Sequence, residues 1–122
     1  MPNPSKAKGD RFERAARDHA RARGFPGAER TRAGYARDHG DLHLAPGLIA
    51  QAKDCRDKRW GEWLPELDEQ IHDSGADVGA LIVKRAGVAD PGRQLAVMAY
   101  DDWLTLCRRA GYGTPFDGQG AP

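Results

Sequence analysis

The stretch "VGALIVK", Val78 to Lys84, constrains the fold more than any other part of this sequence. It is a nearly continuous apolar run, far shorter than the roughly 20 residues of a membrane span. A run of this length and composition reads as a strand buried on both faces. Such a strand needs neighbours beside it and cover above and below. In a chain of 122 residues, that cover has to come from the helices encoded on either side.

Periodicity supplies them. Phe12, Ala15, Ala16, His19 and Ala20 recur at helical spacing, which predicts a helix over 9–23, capped by Asp10 and stopped by Gly24. Trp60, Trp63, Leu64, Leu67 and Ile71 form a second stripe over 60–74. Pro65 lacks a backbone donor, which moves the expected start towards Leu64. Short strands are expected over 28–32, 41–44 and 48–53, with a polar loop over 33–40 and a turn at Ala45-Pro46-Gly47. A loop over 85–93 leads to a last strand over 94–99. A closing helix over 101–110 carries Trp103, Leu104 and Leu106.

The predicted order is α-β-β-β-α-β-β-α, an α/β fold with a mixed sheet flanked by helices. Residues 1–8, with two prolines and two lysines, read as a flexible basic arm. Residues 9–113 read as a single domain, and 114–122, rich in glycine and proline, as a flexible tail. Hydrophobic residues make up 39% of the chain and charged residues 30%, enough for one modest core under a charged surface. The opening "MPNPSKAKGD" has no apolar segment of the secretory kind, so a cytoplasmic location is expected, with no membrane partner. Cys55 and Cys107 stand far apart without metal spacing and read as free thiols.

The net charge of +1 conceals an asymmetry. Residues 1–59 carry a balance of +6 and residues 60–122 a balance of −5. A basic half beside an acidic half suggests a face for a polyanion, nucleic acid above all. Arginine outnumbers lysine, which suits bidentate phosphate contacts.

The segment "GDLHLAPGLIAQAKDC", residues 40–55, carries the chemistry. Side chains alternate along a strand, so Ile49, Gln51 and Lys53 share one face. A tight turn returns the chain antiparallel, which sets Asp41 beside the end that holds Gln51 and Lys53. A carboxylate, a carboxamide oxygen and an ammonium then converge at one sheet end. Oxygen ligands from Asp41 and Gln51 suit a hard cation such as Mg²⁺. Lys53 can orient water or stabilise charge on a phosphate. Glu13, beside the apolar stripe of the first helix, can reach the same site. Taken singly, each of these residues is ordinary; a lone strand-end aspartate is more often a turn acid.

The combination resembles the PD-(D/E)XK nuclease superfamily, and within it the archaeal and phage-type Holliday junction resolvases. "KGDRFERAARDHARARGF" resembles their first helix, with Glu13 as its glutamate. "GDLHLAPGLIAQAK" resembles their G-D-(x)n-E-x-K core, and "GADVGALIVKRAG" the strand after the second helix. The likeness runs from about Lys8 to Gly113. It implies a restriction-endonuclease-like αβββαβ core and an endonuclease that cuts branched double-stranded DNA, such as a four-way junction, as a homodimer in a bacterial or phage-infected cell. By position, Glu13, Asp41, Gln51 and Lys53 would be the catalytic set. Asp41, Gln51 and Glu13 would be the metal ligands for Mg²⁺, with Mn²⁺ as a substitute. Gln51 stands where the family usually has glutamate, and "QAK" is similar to Mrr-type restriction endonucleases as well. Another nuclease of the superfamily, a silent DNA-binding module and an interaction domain without a DNA role stay open as alternatives.

The basic residues expected to hold DNA are Lys6, Lys8, Arg11, Arg30, Arg32, Arg37, Arg56, Lys58, Arg59, Lys84 and Arg85, with Tyr35 placed to stack on a base. His39 and His43 straddle a strand start, where an i, i+4 spacing does not build a zinc site. His43 shares the strand face of Asp41. Trp60 and Trp63 read as core or dimer contacts.

Overall fold

The computed structural model describes residues 3–30 and 41–115. Among these residues, three helices and a five-stranded mixed sheet form an α/β architecture. Helix α1 spans Pro4–Ala22. Strands β1 (Glu29–Arg30), β2 (Asp41–Ala45) and β3 (Leu48–Lys53) follow. Helix α2 spans Trp60–Ser74 and leads to β4, Val78–Val83. A 3₁₀ turn at Pro91–Arg93 precedes β5 (Leu95–Val97) and helix α3, Tyr100–Arg109. The expected order of helices and strands holds.

The sheet order is β1-β2-β3-β4-β5, so β3 is central, and β3 and β4 are both interior strands. They are parallel, joined through α2, and the other neighbours are antiparallel. The β2–β3 turn is tight because Gly47 sits at φ +82°. Its carbonyl accepts from the amides of Asp77 and Val78, at 2.8 and 3.1 Å. That contact pins the turn to the start of β4.

Helix α2 packs on the sheet through a core of Trp63, Leu67, Leu81 and Val83, with Leu64, Ile71 and Val97 at its edge. Gly79 permits this approach. A Cβ there would lie 2.9 Å from Ile71 and 3.1 Å from Ile49. Helix α1 lies against β1, β2 and β3.

Several boundaries differ from expectation. The arm over 1–8 is helical from Pro4 onward. Asn3 Oδ1 accepts from the amides of Ser5 and Lys6, at 3.0 and 3.4 Å, and Pro4 occupies the first helical position. Asp10 is therefore an interior residue and not the cap. Helix α2 starts at Trp60 despite Pro65, because Arg59 O accepts from Trp63 N at 2.8 Å and starts the helix ahead of the proline.

Strand β4 is fully buried only on the face of Gly79, Leu81 and Val83. Val78, Ala80 and Ile82 are half-buried, because α1 crosses the β1–β3 side of the sheet. The segment 85–93 contains the 3₁₀ turn, with Asp90 Oδ1 accepting from Gly92 N at 2.9 Å. The expected loop 33–40 and the end of the 28–32 strand lie outside the described residues, as do 116–122 of the tail.

Candidate active site

Three polar or charged residues are buried among the described residues, Glu13 at 4% exposure, Asp41 at 3% and Gln51 at 4%. They are the three positions expected to bind a metal. Burying such groups is costly unless each has a partner or a task.

Register brings two of them together. Asp41 is the cross-strand partner of Gln51 in the β2–β3 ladder. Gln51 is also level with Leu81 across the parallel β3–β4 pair, so its side chain shares the α2 face. Gln51 Nε2 donates to Gln70 Oε1 of α2 at 2.5 Å. Gln51 Oε1 is buried and has no hydrogen-bond partner among the described residues. An unmet buried acceptor costs about 1–3 kcal/mol. A hard cation beside the Asp41 carboxylate would satisfy it, and an all-oxygen pair fits Mg²⁺ by ligand type. Among the described residues, no group of three or more His, Cys, Asp or Glu is arranged to hold a metal.

Glu13 has a different engagement. Its carboxylate accepts from Arg30 Nε at 2.7 Å, and the same guanidinium reaches Asp10 at 3.0 Å. Arg30 is level with Leu42 in the β1–β2 ladder, one residue from Asp41. The hydrogen bond that Arg30 donates to Glu13 raises the Arg30 pKa further, against the opposing effect of burial. Glu13 thus borders a groove at the end of β3 through α1, as half of an ion pair, while Arg30 shares the Leu42 face of the sheet and not the Asp41 face. Arg30, expected at a phosphate, has its guanidinium on two carboxylates of the protein.

Lys53 ends β3, two residues beyond Gln51 on the same face. Its ammonium lies 5.5 Å from the centroid of the Trp63 ring, within cation–π range. Trp63 meets Trp60 edge to face at 5.5 Å. Trp63 is a core residue, while Trp60 is more exposed.

Lys53, Glu13 and Asp10 border an open groove of about 740 Å³ between the start of α1, the end of β3 and the start of α2. Asp41 and Gln51 are not among its lining residues. Lys6, Lys8, Arg56 and Arg59 line the same groove, opposed by Asp54 and Asp57. Lys8 pairs with Asp54 at 3.4 Å and Arg59 with Glu62 at 3.7 Å. Such exposed pairs are weak and exchangeable.

The other expected basic contacts fall elsewhere. Lys58 donates to the Cys55 carbonyl. Arg11 and Lys84 border a smaller neighbouring cavity of about 220 Å³. The Lys84 ammonium donates to Val88 O at 2.6 Å, and the Arg85 guanidinium to Arg93 O at 3.1 Å. Those two act first as clasps on the 85–93 segment. Arg32, Tyr35, Arg37 and His39 lie outside the described residues. His43 is exposed, level with Glu29 and Ile49. Cys55 and Cys107 are free.

Sequence reading missed Gln70 and Asp10. Gln70 follows Trp63 by seven residues and Leu67 by three, so it interrupts an apolar stripe on the buried side of α2. That interruption was the available signal. Asp10 precedes Glu13 by three and shares its helix face.

No protein-family model, curated protein or solved structure matches this chain. No helix among the described residues is long and apolar enough to cross a membrane.

Proposed function

We propose that the chain is a metal-dependent, structure-selective DNA endonuclease with a restriction-endonuclease-like core, which resolves four-way junctions by paired phosphodiester hydrolysis as a homodimer. The observation that carries this reading is the burial of Asp41 beside Gln51 with the Gln51 Oε1 acceptor unmet. An unmet buried acceptor costs stability, and a ligand role for Gln51 Oε1 would account for keeping it.

Asp41 and Gln51 would hold Mg²⁺ through oxygen atoms. The metal, when bound, would polarise the scissile phosphate and make a bound water more acidic. Gln70 keeps the Gln51 amide turned so that its oxygen remains available. Lys53, held over Trp63, supplies a fixed positive charge. It orients the attacking water and stabilises negative charge growing on the phosphate. Lys6, Arg56 and Arg59 hold the flanking phosphates along the groove. Arg30 keeps Glu13 and Asp10 from repelling that backbone. Recognition by phosphate contacts would follow junction shape and be steeply salt-dependent.

The test is cleavage of a synthetic four-way junction beside a matched linear duplex, in Mg²⁺ and in Mn²⁺, with Lys53→Ala as control. Paired nicks on the junction that vanish in Lys53→Ala are the expected result. Cleavage of linear duplex at equal rate would instead assign a restriction-type or repair nuclease. A second reading is a DNA-structure binder without cleavage. The neutral Gln51 and the Arg30 clamp on Glu13 favour it, and tight junction binding with no cutting in either metal would select it.

A further inference from the structure

The segment 85–93 is fixed by more than its two ends. Gln94 Oε1 accepts from Arg85 N at 2.7 Å, and Gln94 Nε2 donates to the Val88 and Asp90 carbonyls at 2.8 and 3.2 Å. Lys84 and Arg85 clasp it from one side, and Asp90 caps its 3₁₀ turn. Gly92 lets the turn close on α1, where a Cβ would lie 2.9 Å from His19 Nε2. Between this fixed segment and α1 lies the cavity of about 220 Å³. The metal chemistry of Asp41 and Gln51 does not use it.

The walls of the cavity are chemically divided. Phe12, Ala15, Ala89 and Pro91 supply apolar surface, and Lys8, Arg11 and Lys84 supply positive charge. One carboxylate, Asp54, opposes these three cations, and it is already paired with Lys8 at 3.4 Å. Lys84 is committed to the Arg85 and Val88 carbonyls. Arg11 is exposed and makes no hydrogen bond or ion pair among the described residues. A free guanidinium beside apolar walls suits a ligand with a planar apolar body and a phosphate, which it can hold through two parallel hydrogen bonds. The cavity is smaller than the roughly 300–1,000 Å³ of pockets for drug-sized ligands, so the ligand is small. Lys8 and Asp54 line the cationic groove as well, so cavity and groove meet at this pair. A phosphate-linked strand in the groove can therefore deliver one of its units to the cavity. The Gln94 amide is consumed by the backbone, so it is not left to read a base edge.

We propose that this cavity takes a single nucleotide, its phosphate on Arg11 and its base against Phe12, Ala15 and Pro91, without choice between bases. The nucleotide is either a free mononucleotide or an unpaired unit of a DNA strand. The cavity and its charges carry the proposal by themselves; only the DNA source rests on the proposed reading of the groove.

Amide NMR titration of the full chain tests it, with dTMP, dAMP, thymidine and inorganic phosphate as probes. The two mononucleotides should bind alike, and more tightly than thymidine or phosphate, with shifts centred on Phe12, Ala15, Ala89 and Gly92. Arg11→Ala should weaken dTMP about tenfold or more, as for loss of a charge-assisted pair, and Arg11→Lys should recover part of it. Ala15→Phe fills the cavity without altering any charge and should abolish binding while amide shifts elsewhere stay in place. A second arm compares a DNA duplex carrying a single bulged nucleotide with the fully paired duplex and with the same bulge made abasic. A preference for the intact bulge that Ala15→Phe removes assigns the nucleotide to DNA. Saturable dTMP binding without that preference assigns it to a free mononucleotide. Absence of both overturns the proposal, as does binding matched by phosphate alone or indifferent to Ala15→Phe. A chain that binds dTMP here but never cuts a junction keeps the pocket and loses the nuclease reading. Junction cleavage with no nucleotide in the pocket does the reverse.

Discussion

Gln51 of β3 donates through Nε2 to Gln70 Oε1 of α2 at 2.5 Å, which leaves Gln51 Oε1 as the unmet buried oxygen beside Asp41. The contact decides which end of the amide is engaged. Gln70→Leu removes the acceptor, strands Nε2 and frees the carboxamide to turn. Stability should fall by about 1–3 kcal/mol in urea unfolding. Mn²⁺ affinity, read by calorimetric titration, should fall about tenfold or more, as for loss of a group that orients a ligand. An unchanged Mn²⁺ affinity would detach Gln70 from the site.

Gln51→Glu should preserve or raise junction cleavage by restoring a charged ligand. The Gln70 carboxamide can turn over and donate to the new carboxylate. Cleavage rates at matched Mg²⁺ check this. A large loss with unfolding unchanged would assign Gln51 a role that glutamate cannot fill.

Arg30→Met should leave Glu13 buried without its ion-pair partner. Removing one member of a buried pair costs about 3–5 kcal/mol, and the partial exposure of Arg30 places this case lower, at about 2–3 kcal/mol. Adding Glu13→Gln should recover part of the loss. Urea unfolding of the two singles and the double measures the coupling.

Gly79→Ala should destabilise by about 1–3 kcal/mol through overpacking. The new methyl would press on Ile71 and Ile49, at 2.9 and 3.1 Å. Ile71→Val in the same chain should relieve much of it. Thermal unfolding of both variants decides whether α2 is seated as closely as described.

If the groove holds DNA as proposed, Lys6→Ala, Arg56→Ala and Arg59→Ala should each lower the salt slope of junction binding by about 1, because each would remove one phosphate contact. Lys84→Ala should change the slope little, since its ammonium already serves Val88 O. Fluorescence anisotropy across a salt series separates the groove residues from the clasp residues.

Local periodicity determined much of this protein before any tertiary contact entered. β3 over 48–53 coincides with its expected span, and α2 ends at Ser74 as its stripe predicts although it starts at Trp60, ahead of the start that Pro65 suggested, because alternation and the 3.6-residue stripe are written within each segment. The turn at Pro46-Gly47 set β2 against β3, so Asp41 opposite Gln51 was legible as well. Other features depended on partners distant in sequence. Arg30 reads as a phosphate-binding arginine until α1 places Glu13 and Asp10 against it. Gln70 is an ordinary polar helix residue until α2 lies over β3. The run 78–83 resembles a strand buried on both faces, yet α1 lies on β1–β3 and covers it unevenly. The apolar stripe of α3 was visible in the chain, but only packing shows that nothing described in the fold buries it. Spacing within a segment reports which side of an element is apolar. What that side meets is settled by register and packing between segments, where burial and ion pairing are decided.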